Sequence, residues 1–319
     1  MRRCDGTMVL VATTGGHLTQ LYEIANRLPH RGRRLWVTFD GPQGRTLQSE
    51  ESVVFIPYIA ERDIAGVIRA LPHAHRILAA GGQVSEVVST GSAIALAFLP
   101  YAAMLGIPAH YIESAARTRQ VSLTGRLLSA VPGVQLYRQY PHVAGGRWGY
   151  GGSVFDGFAA VRAPFQPMRR VVVTLGTMAQ GFRRLLERLV AIIPAGTEVL
   201  WQTGFTPTRG LAIEPQSFIS ATALAAAMRD ADVVVAHAGC GSALTALKAG
   251  KCPVLVPRAP GGNEVVDAHQ EEVAAWLDAK GLALSRPAEE LSFTDLQRAS
   301  ERAVVRAPAL PAFRLAGAA

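Results

Sequence analysis

Three short segments rich in glycine, serine and threonine could bind phosphate. They are TTGGH (Thr13–His17), STGSA (Ser89–Ala93) and TLGT (Thr174–Thr177), and each lies between an apolar run and a helical pattern. Small residues let the backbone approach a ligand, and the N-terminus of a helix offers free N–H groups with partial positive charge. No segment has the dinucleotide or P-loop fingerprint. Each one alone could be an ordinary tight turn, but three together favour a phosphorylated ligand.

A fourth turn, HAGCGS (His237–Ser242), follows another apolar run and opens another helix. Helix amides at Gly241 and Ser242 could bind a diphosphate, and the Ser242 hydroxyl could add a hydrogen bond. His237 could equally cap the helix for structural reasons. A glycine-rich loop further on leads into DAHQ, which ends at Gln270.

Short apolar runs alternate with helical patterns in both halves of the chain. This alternation predicts parallel βαβ units and an α/β fold of two doubly wound domains. The predicted strands are Met8–Ala12, Leu35–Phe39, Val53–Tyr58, Glu86–Ser89, Ala109–Ile112, Val134–Tyr137, Val171–Leu175, Glu198–Gln202, Asp232–Ala236 and Pro253–Val256. The predicted helices are 18–28, Ile64–Leu71, Ala93–Leu105, Arg183–Ile193, Ala221–Met228, Ser242–Ala249 and Glu271–Lys280.

The domain boundary is predicted in the proline-containing stretch 159–170, which shows no periodicity and resembles a linker. Residues 1–160 would form an N-terminal Rossmann-like domain and residues 161–319 a C-terminal Rossmann-like domain. The last helix could pack back on the first domain. Ligands of such sheets bind beyond the carboxyl ends of the strands, so the turns of both domains are expected to face a common cleft.

Composition limits the possible partners and location. The 319 residues carry a formal charge of +8, mostly from scattered arginines, without the motifs of a nucleic-acid-binding protein. An anionic membrane surface and phosphorylated small molecules remain as partners. The odd set Cys4, Cys240 and Cys252 has no CxxC pair, which favours a reducing, cytoplasmic compartment. The longest apolar run, Ala93–Pro108, is too short to span a bilayer, so any attachment is expected at the inner membrane surface.

The second half resembles the donor domain of inverting glycosyltransferases with the two-domain GT-B fold. HAGCGS, DAHQ and VVVTLGT are similar to the catalytic subunit of the two-part GlcNAc transferase that extends dolichol-linked chitobiose, and LWQTGF resembles a strand found there and in MurG. The first half resembles the membrane-recruiting partner subunit and its bacterial exopolysaccharide relatives, through TTGGHLTQL, VVSTGSA, YIESAARTRQVSLTGRLL, QLYRQYP and YGGSVFDGF. The chain therefore resembles a fusion of the two subunits, in the arrangement of MurG.

This resemblance implies a UDP-sugar donor and a set of binding residues. The implied donor-binding residues are Gly176, Thr177, Gln202, Gly204, Phe218, Ile219, His237, Gly239, Gly241, Ser242, Thr245, Asn263, Glu264, His269 and Gln270. The implied acceptor-binding residues are Gly15, Gly16, Thr90, Gly91, Ser92 and Arg117. Thr245 stands where the family commonly has a glutamate for the ribose, and Glu264 is a possible substitute. A neutral hydroxyl bonds ribose more weakly than a carboxylate does.

Inverting transfer needs a base for the acceptor hydroxyl and stabilisation of the departing nucleoside diphosphate. Two residues of the first half are candidates for the base, His17 at a helix start and Glu113 at the end of YIES; His17 is slightly favoured. No metal or cofactor is expected. Asp230-Ala-Asp232 spells the DxD metal motif of other glycosyltransferases, but it lies at the start of a strand and is interpreted as surface charge.

The acceptor is predicted to be a lipid-linked sugar or another glycoside, and a soluble acceptor such as a natural-product aglycone stays open. The apolar segment Ala93–Leu105 and the arginines Arg117, Arg119 and Arg126 would suit contact with anionic lipid, or the helix could belong to the core. The transferred sugar (GlcNAc, glucuronic acid or galactose) and the oligomeric state stay open. Two other functions are considered, a non-hydrolysing UDP-sugar 2-epimerase and a non-catalytic nucleotide-sugar-binding subunit.

Overall fold

The structure, a computed structural model, describes residues 6–29, 32–60, 62–79, 83–177, 180–258 and 269–316. The chain divides into two compact units. The first comprises Met1–Val154 with Pro311–Ala319, and the second comprises Phe155–Leu310. The boundary predicted at 160/161 therefore lies within the second unit, and the last helix stays in that unit.

The first unit is a seven-stranded parallel sheet in the order β3-β2-β1-β4-β5-β6-β7. Its strands are β1 (Thr7–Ala12), β2 (Arg34–Phe39), β3 (Val53–Ile56), β4 (Val84–Gly91), β5 (Ala109–Ile112), β6 (Val134–Arg138) and β7 (Trp148–Tyr150). Its helices are α1 (Gly16–Ala25), α2 (Pro42–Gln48), α3 (Ile64–Leu78), α4 (Ile94–Met104) and α5 (Leu123–Ser129). Apolar strands buried on both faces are typical of such a sheet, and β1 is buried throughout except at Thr7.

The second unit contains a six-stranded parallel sheet in the order β11-β10-β9-β12-β13-β14 and an antiparallel pair of β8 and β15. Its strands are β8 (Phe158–Arg162), β9 (Arg170–Thr174), β10 (Glu198–Gln202), β11 (Pro215–Gln216), β12 (Val233–Ala236), β13 (Val254–Leu255), β14 (Leu284–Ser285) and β15 (Arg302–Arg306). Its helices are α6 (Arg183–Ile192), α7 (Ala221–Asp230), α8 (Cys240–Lys248), α9 (His269–Ala279) and α10 (Phe293–Ser300). The order confirms the predicted α/β class with two Rossmann-like sheets.

Two sequence predictions about secondary structure are wrong in detail. The predicted linker contains strand β8, which exists because it pairs with the distant strand β15. Helix α3 continues past Leu71 to Leu78 through Pro72, where the prediction ended it. Pro72 is exposed, so the carbonyl of Ile68 that loses its helical partner can bond water.

Helix α4 belongs to the core of the first unit. Ile94, Phe98 and Leu99 have no exposed surface and pack with strands of the sheet. Only its C-terminal end, at Met104, is strongly exposed. The structure therefore favours the core interpretation of 93–105 over the lipid-facing one. Within the described residues, the structure has no helix that is both long and apolar enough to traverse a bilayer.

The C-terminal segment after Leu310 packs within the first unit. Phe313 is fully buried, its backbone N–H donates to the carbonyl of Arg27, and its ring lies 6.4 Å from that of Tyr137. The amide of Ala316 donates to the Tyr137 hydroxyl at 2.7 Å. The end of the described chain thus completes the core of the unit in which the chain begins.

Candidate functional site

In the first unit, the carboxyl ends of β1, β4 and β5 bring three predicted site segments side by side. These strands are neighbours, and they are followed respectively by the TTGGH turn, by the STGSA turn and by Glu113. Thr90 and His17 join the first two through reciprocal hydrogen bonds. The Thr90 hydroxyl donates to the His17 carbonyl at 2.8 Å, and the Thr90 carbonyl lies 2.8 Å from His17 Nδ1.

The contact with the Thr90 carbonyl sets the tautomer of the neutral His17 ring. Because a carbonyl oxygen only accepts, Nδ1 must carry the proton, and Nε2 of the neutral ring then carries the lone pair. Gly91, at φ +115°, lies against the ring: a Cβ there would be 3.3 Å from His17 Cε1. The half-buried histidine is therefore held in one orientation, with Nε2 suited to accept a proton.

The other predicted acceptor residues lie around His17 at the same edge. Gly15 (φ +92°) is exposed and held by Gln43, whose Oε1 accepts from the Gly15 amide at 2.5 Å. Gly16 is exposed at the start of α1, and Ser92 precedes α4 with φ +68°. Arg117 is half-buried in the segment after Glu113.

Glu113 is only 1% exposed, and its carboxylate accepts four hydrogen bonds. Oε1 accepts from the Tyr111 hydroxyl and the Ser114 amide, both at 3.1 Å. Oε2 accepts from the Ser122 amide at 2.9 Å and the Ser122 hydroxyl at 3.1 Å. With its lone pairs so engaged, Glu113 fixes the loop that begins at Ser114 and closes at Ser122, rather than presenting a carboxylate to a ligand.

In the second unit, Gln202 and the TLGT turn form one hydrogen-bonded block. Gln202 Oε1 accepts from the Thr174 hydroxyl at 2.6 Å and the Gly176 amide at 3.1 Å. Its Nε2 donates to the carbonyls of Gly176 at 2.9 Å and Ser217 at 3.0 Å. The side chain is buried and its bonding capacity is filled, so it shapes the turn. A Cβ on residue 204 would lie 2.6 Å from the carbonyl oxygen of Gly176, which is too close for a side chain, so this position requires glycine.

His237 lies between the two glycine turns of the donor half. A Cβ on Gly176 would come within 2.5 Å of its Cε1, and a Cβ on Gly239 would meet the ring as closely. Burial, reinforced by the charge of Arg258, lowers the pKa of His237 to about 3. The ring is therefore neutral near pH 7, with Nδ1 3.4 Å from the Thr174 carbonyl.

Helix α8 presents its first turn toward the same edge. Gly239 is the N-cap, and no side chain caps the amides of the first turn. Gly241 is exposed and Ser242 half-buried, as an anion-binding helix start requires. One turn later, the Thr245 hydroxyl donates to the Gly241 carbonyl at 2.9 Å.

Two exposed aromatic rings lie at the carboxyl ends of β10 and β11. Phe205 and Phe218 are 57% and 54% exposed, and their ring centroids are 5.2 Å apart at 73°. The Gly204 amide donates to the Ser217 carbonyl at 2.9 Å and holds the two segments together. Ile219 is half-buried beside Phe218. An exposed aromatic pair of this kind can stack on a planar ligand group.

The remaining predicted donor residues lie on three segments. Thr177 is exposed after Gly176, and His269 is half-buried at the start of α9. Gln270 is buried, and its Oε1 accepts from the Arg258 amide at 3.1 Å. Asn263 and Glu264 lie outside the described residues.

Helix capping separates the predicted phosphate turns from most other helix starts. Four helices have a side-chain cap: α3 (Asp63), α5 (Ser122), α7 (Ser220) and α10 (Ser292). Within the described residues, the N-cap residues of the helices after the four glycine-containing turns, α1, α4, α6 and α8, provide no side-chain cap, although Gln43 and Thr206 accept from the N-cap amides of α1 and α6. Helix α2 also lacks a side-chain cap and has Pro42 in its first turn, where a missing N–H costs nothing.

Residues 170–307 match the glycosyltransferase family 28 C-terminal domain. The chain has the GT-B fold. Its fold is similar to that of MurG from Acinetobacter baumannii, with 20% identity, a TM-score of 0.56, and coverage of 92% of this chain and 89% of that one. The glycosyltransferase of kitacinnamycin shares 17% identity at a TM-score of 0.57, covering 92% and 89%. SnogD from Streptomyces nogalater shares 16% identity at a TM-score of 0.56, and the match covers 93% of this chain and 91% of that one. No curated protein sequence matches the chain.

Sequence reasoning missed a buried polar network in the first unit. Gln20 Nε2 donates to the Ser114 hydroxyl at 3.1 Å, and its Oε1 accepts from the Ala115 amide at 2.8 Å. Gln139 Nε2 donates to Gln20 Oε1 and to the Glu113 carbonyl, both at 3.0 Å. Both glutamines occur in quoted motifs, TTGGHLTQL and QLYRQYP, which is the only sequence signal for them. The network holds the segment after β5 against α1.

The DxD segment has a structural role at Asp232. Its Oδ2 accepts from the backbone amides of Arg169 at 2.7 Å and Arg170 at 2.8 Å. These contacts lie at the amino ends of β9 and β12, opposite the end that carries the glycine turns. Asp232 therefore anchors the start of the central strand.

Proposed function

We propose that the protein is an inverting glycosyltransferase that moves GlcNAc, glucuronic acid or galactose from a UDP-sugar to a hydroxyl of a lipid-linked or glycoside acceptor. The observation that carries this proposal is the absence, within the described residues, of a side-chain cap on α4 and α8, which directly follow the STGSA and HAGCGS turns. Amides left without a capping side chain can bind the phosphates of a donor and a phosphorylated acceptor. The first unit would bind the acceptor and the second the donor.

His17 is the proposed general base. The acceptor hydroxyl transfers its proton to His17 Nε2 while its oxygen forms the new bond to the anomeric carbon. The bond from that carbon to the diphosphate oxygen breaks in the same step, which inverts the configuration. The amides at the start of α8 stabilise the departing nucleoside diphosphate. Glu113 acts as a positioning residue, because its hydrogen bonds are directed to its own loop.

Calorimetric titration with UDP, UDP-GlcNAc, UDP-glucuronic acid and UDP-galactose tests the proposal. We expect UDP to bind and one sugar to raise the affinity or support transfer. A failure of every uridine nucleotide to bind would overturn the proposal. Release of ManNAc from UDP-GlcNAc alone would indicate the epimerase, and binding without transfer to any acceptor would indicate a nucleotide-sugar-binding subunit.

Peripheral contact with an anionic membrane is proposed through α3 instead of α4. Ile64 and Ile68 are 75% and 60% exposed and lie four residues apart on the helix, with Leu71 on the same side. Arg69 and Arg76 are exposed on the same helix, which contains no acidic residue. An apolar stripe with basic neighbours binds anionic lipid interfaces.

The double variant Ile64→Ser/Ile68→Ser is expected to lose most binding to vesicles of phosphatidylcholine with about one third phosphatidylglycerol, because burial of each apolar side chain contributes about 1.5–3 kcal/mol. Co-sedimentation measures the bound fraction. Phe165→Ser, an exposed apolar residue of the second unit, is the matched control. Equal binding of the double variant and the parent chain would exclude this surface.

A further inference from the structure

Arg258 is a buried cation directly behind the TLGT turn. It follows β13 at the carboxyl edge of the second sheet and is 1% exposed, which is rare for a charged side chain. Its backbone amide donates to Gln270 Oε1, so its position is fixed from α9 as well. Its guanidinium carbon lies 5.4 Å from the centre of the Phe182 ring.

The guanidinium holds the turn from both sides. Arg258 Nη2 donates to the carbonyl of Leu175 at 2.9 Å and to the carbonyl of Gln180 at 3.3 Å. Leu175 immediately precedes Gly176, and Gln180 lies between the turn and α6. A single side chain therefore links the two ends of the segment that follows β9.

The positive charge also reaches the second glycine turn. Arg258 contributes to the low pKa of His237, whose ring contacts both Gly176 and Gly239. Charges in a buried environment are weakly screened, so the charge of Arg258 acts on the His237 ring, which lies against both turns.

We propose that Arg258 is a positioning residue that holds Leu175, next to Gly176, and supplies the positive charge that favours the diphosphate of the donor, bound and departing. This inference rests on the proposed function, because it assumes a nucleoside diphosphate at these turns. The same charge favours the transition state, in which negative charge grows on the leaving diphosphate.

A series of ligands with increasing charge separates an electrostatic role from a purely structural one. Calorimetry would compare uridine, UMP and UDP on the parent chain, Arg258→Met and Arg258→Lys. For Arg258→Met we expect Kd to rise about tenfold for UDP, less for UMP and under about twofold for uridine, since the lost interaction scales with ligand charge. Arg258→Lys keeps the charge but not the planar fork that reaches both carbonyls, so it should recover most of the UDP affinity.

Arg188→Met is the matched control, because Arg188 is a half-buried arginine of the same unit whose Nε donates to the Leu291 carbonyl at 2.6 Å. An equal loss of affinity for uridine and UDP would show that Arg258 only shapes the turn and would overturn the proposal. If Arg258→Met does not fold, the neutral variant Arg258→Gln, which keeps a hydrogen-bond donor, takes its place: weakening confined to the phosphorylated ligands supports the proposal, and uniform weakening overturns it. Failure of the parent chain to bind UDP would count against the proposed function instead.

Discussion

Replacing His17 by alanine is expected to lower kcat for glycosyl transfer by about 100- to 10,000-fold, the usual contribution of a general base. The affinity for UDP should stay within about twofold, because His17 belongs to the first unit and the donor is assigned to the second. The structural basis is the hydrogen bond from Nδ1 to the Thr90 carbonyl, which leaves Nε2 as the basic nitrogen.

Steady-state kinetics and calorimetry on the same preparations would measure both quantities. His142→Ala, which changes an exposed histidine of the same unit, is the matched control and should leave kcat unchanged. Transfer by His17→Ala at the parent rate would remove His17 as the base. Loss of UDP affinity in this variant would show that its role was misassigned.

Glu113 was the other candidate base, and kinetics can separate the two. Glu113→Gln keeps the shape of the side chain but weakens the bonds to Tyr111 and Ser122. Its effect should therefore include reduced stability, whereas His17→Ala should affect activity alone. A pH–rate profile that loses its acidic limb only in Glu113→Gln would reverse the assignment, because a general base is inactivated by protonation at low pH.

The alternation of apolar runs and helical patterns was sufficient to predict the two sheets, because parallel strands buried on both faces are continuously apolar. The turn at 13–17 could also be located, since its glycines follow β1 directly. Strand β8 could not be predicted, because it depends on pairing with β15, more than a hundred residues away. The burial of α4 was left open because an apolar helix suits a core and a lipid surface equally.

Residue types indicated which segments form the candidate site, but they did not indicate what each side chain in those segments contacts. Gln202 occurs where the resemblance implies donor contact, yet all its hydrogen bonds go to Thr174, Gly176 and Ser217. Arg258 carries no local signal, and Gln20 has only its place in TTGGHLTQL, because their roles depend on carbonyls and amides brought near by folding. Polar residues that hold a site in place are therefore the hardest to recognise in a single sequence.

Two buried histidines predict a loss of stability in mild acid. Burial lowers the pKa of His110 to about 4, and that of His237 to about 3. An unfolded histidine has a pKa near 6.5, so between these values the unfolded chain binds more protons than the folded one. The stability contributed by keeping these two rings neutral is fully present above about pH 6.5, and it falls as the pH decreases toward the pKa values of the folded chain. Each histidine lowers the free energy of unfolding by about 1.4 kcal/mol per pH unit, or about 3 kcal/mol at pH 4.5.

Each histidine lies in a different unit, so the two effects can be measured apart. In the first unit, His110 faces Glu86 at 3.7 Å and the Tyr137 hydroxyl at 3.2 Å, and His110→Gln removes the titrating ring. Urea unfolding between pH 7.5 and 4.5 measures the free energy of unfolding. For the first unit of this variant, this free energy should fall less steeply as the pH decreases, because unfolding takes up about one proton fewer. The second unit retains the contribution of His237. His142→Gln, at an exposed position, is the matched control. The same slope in His110→Gln and the parent chain would show that His110 titrates alike in the folded and unfolded chain, and that its burial does not govern acid stability.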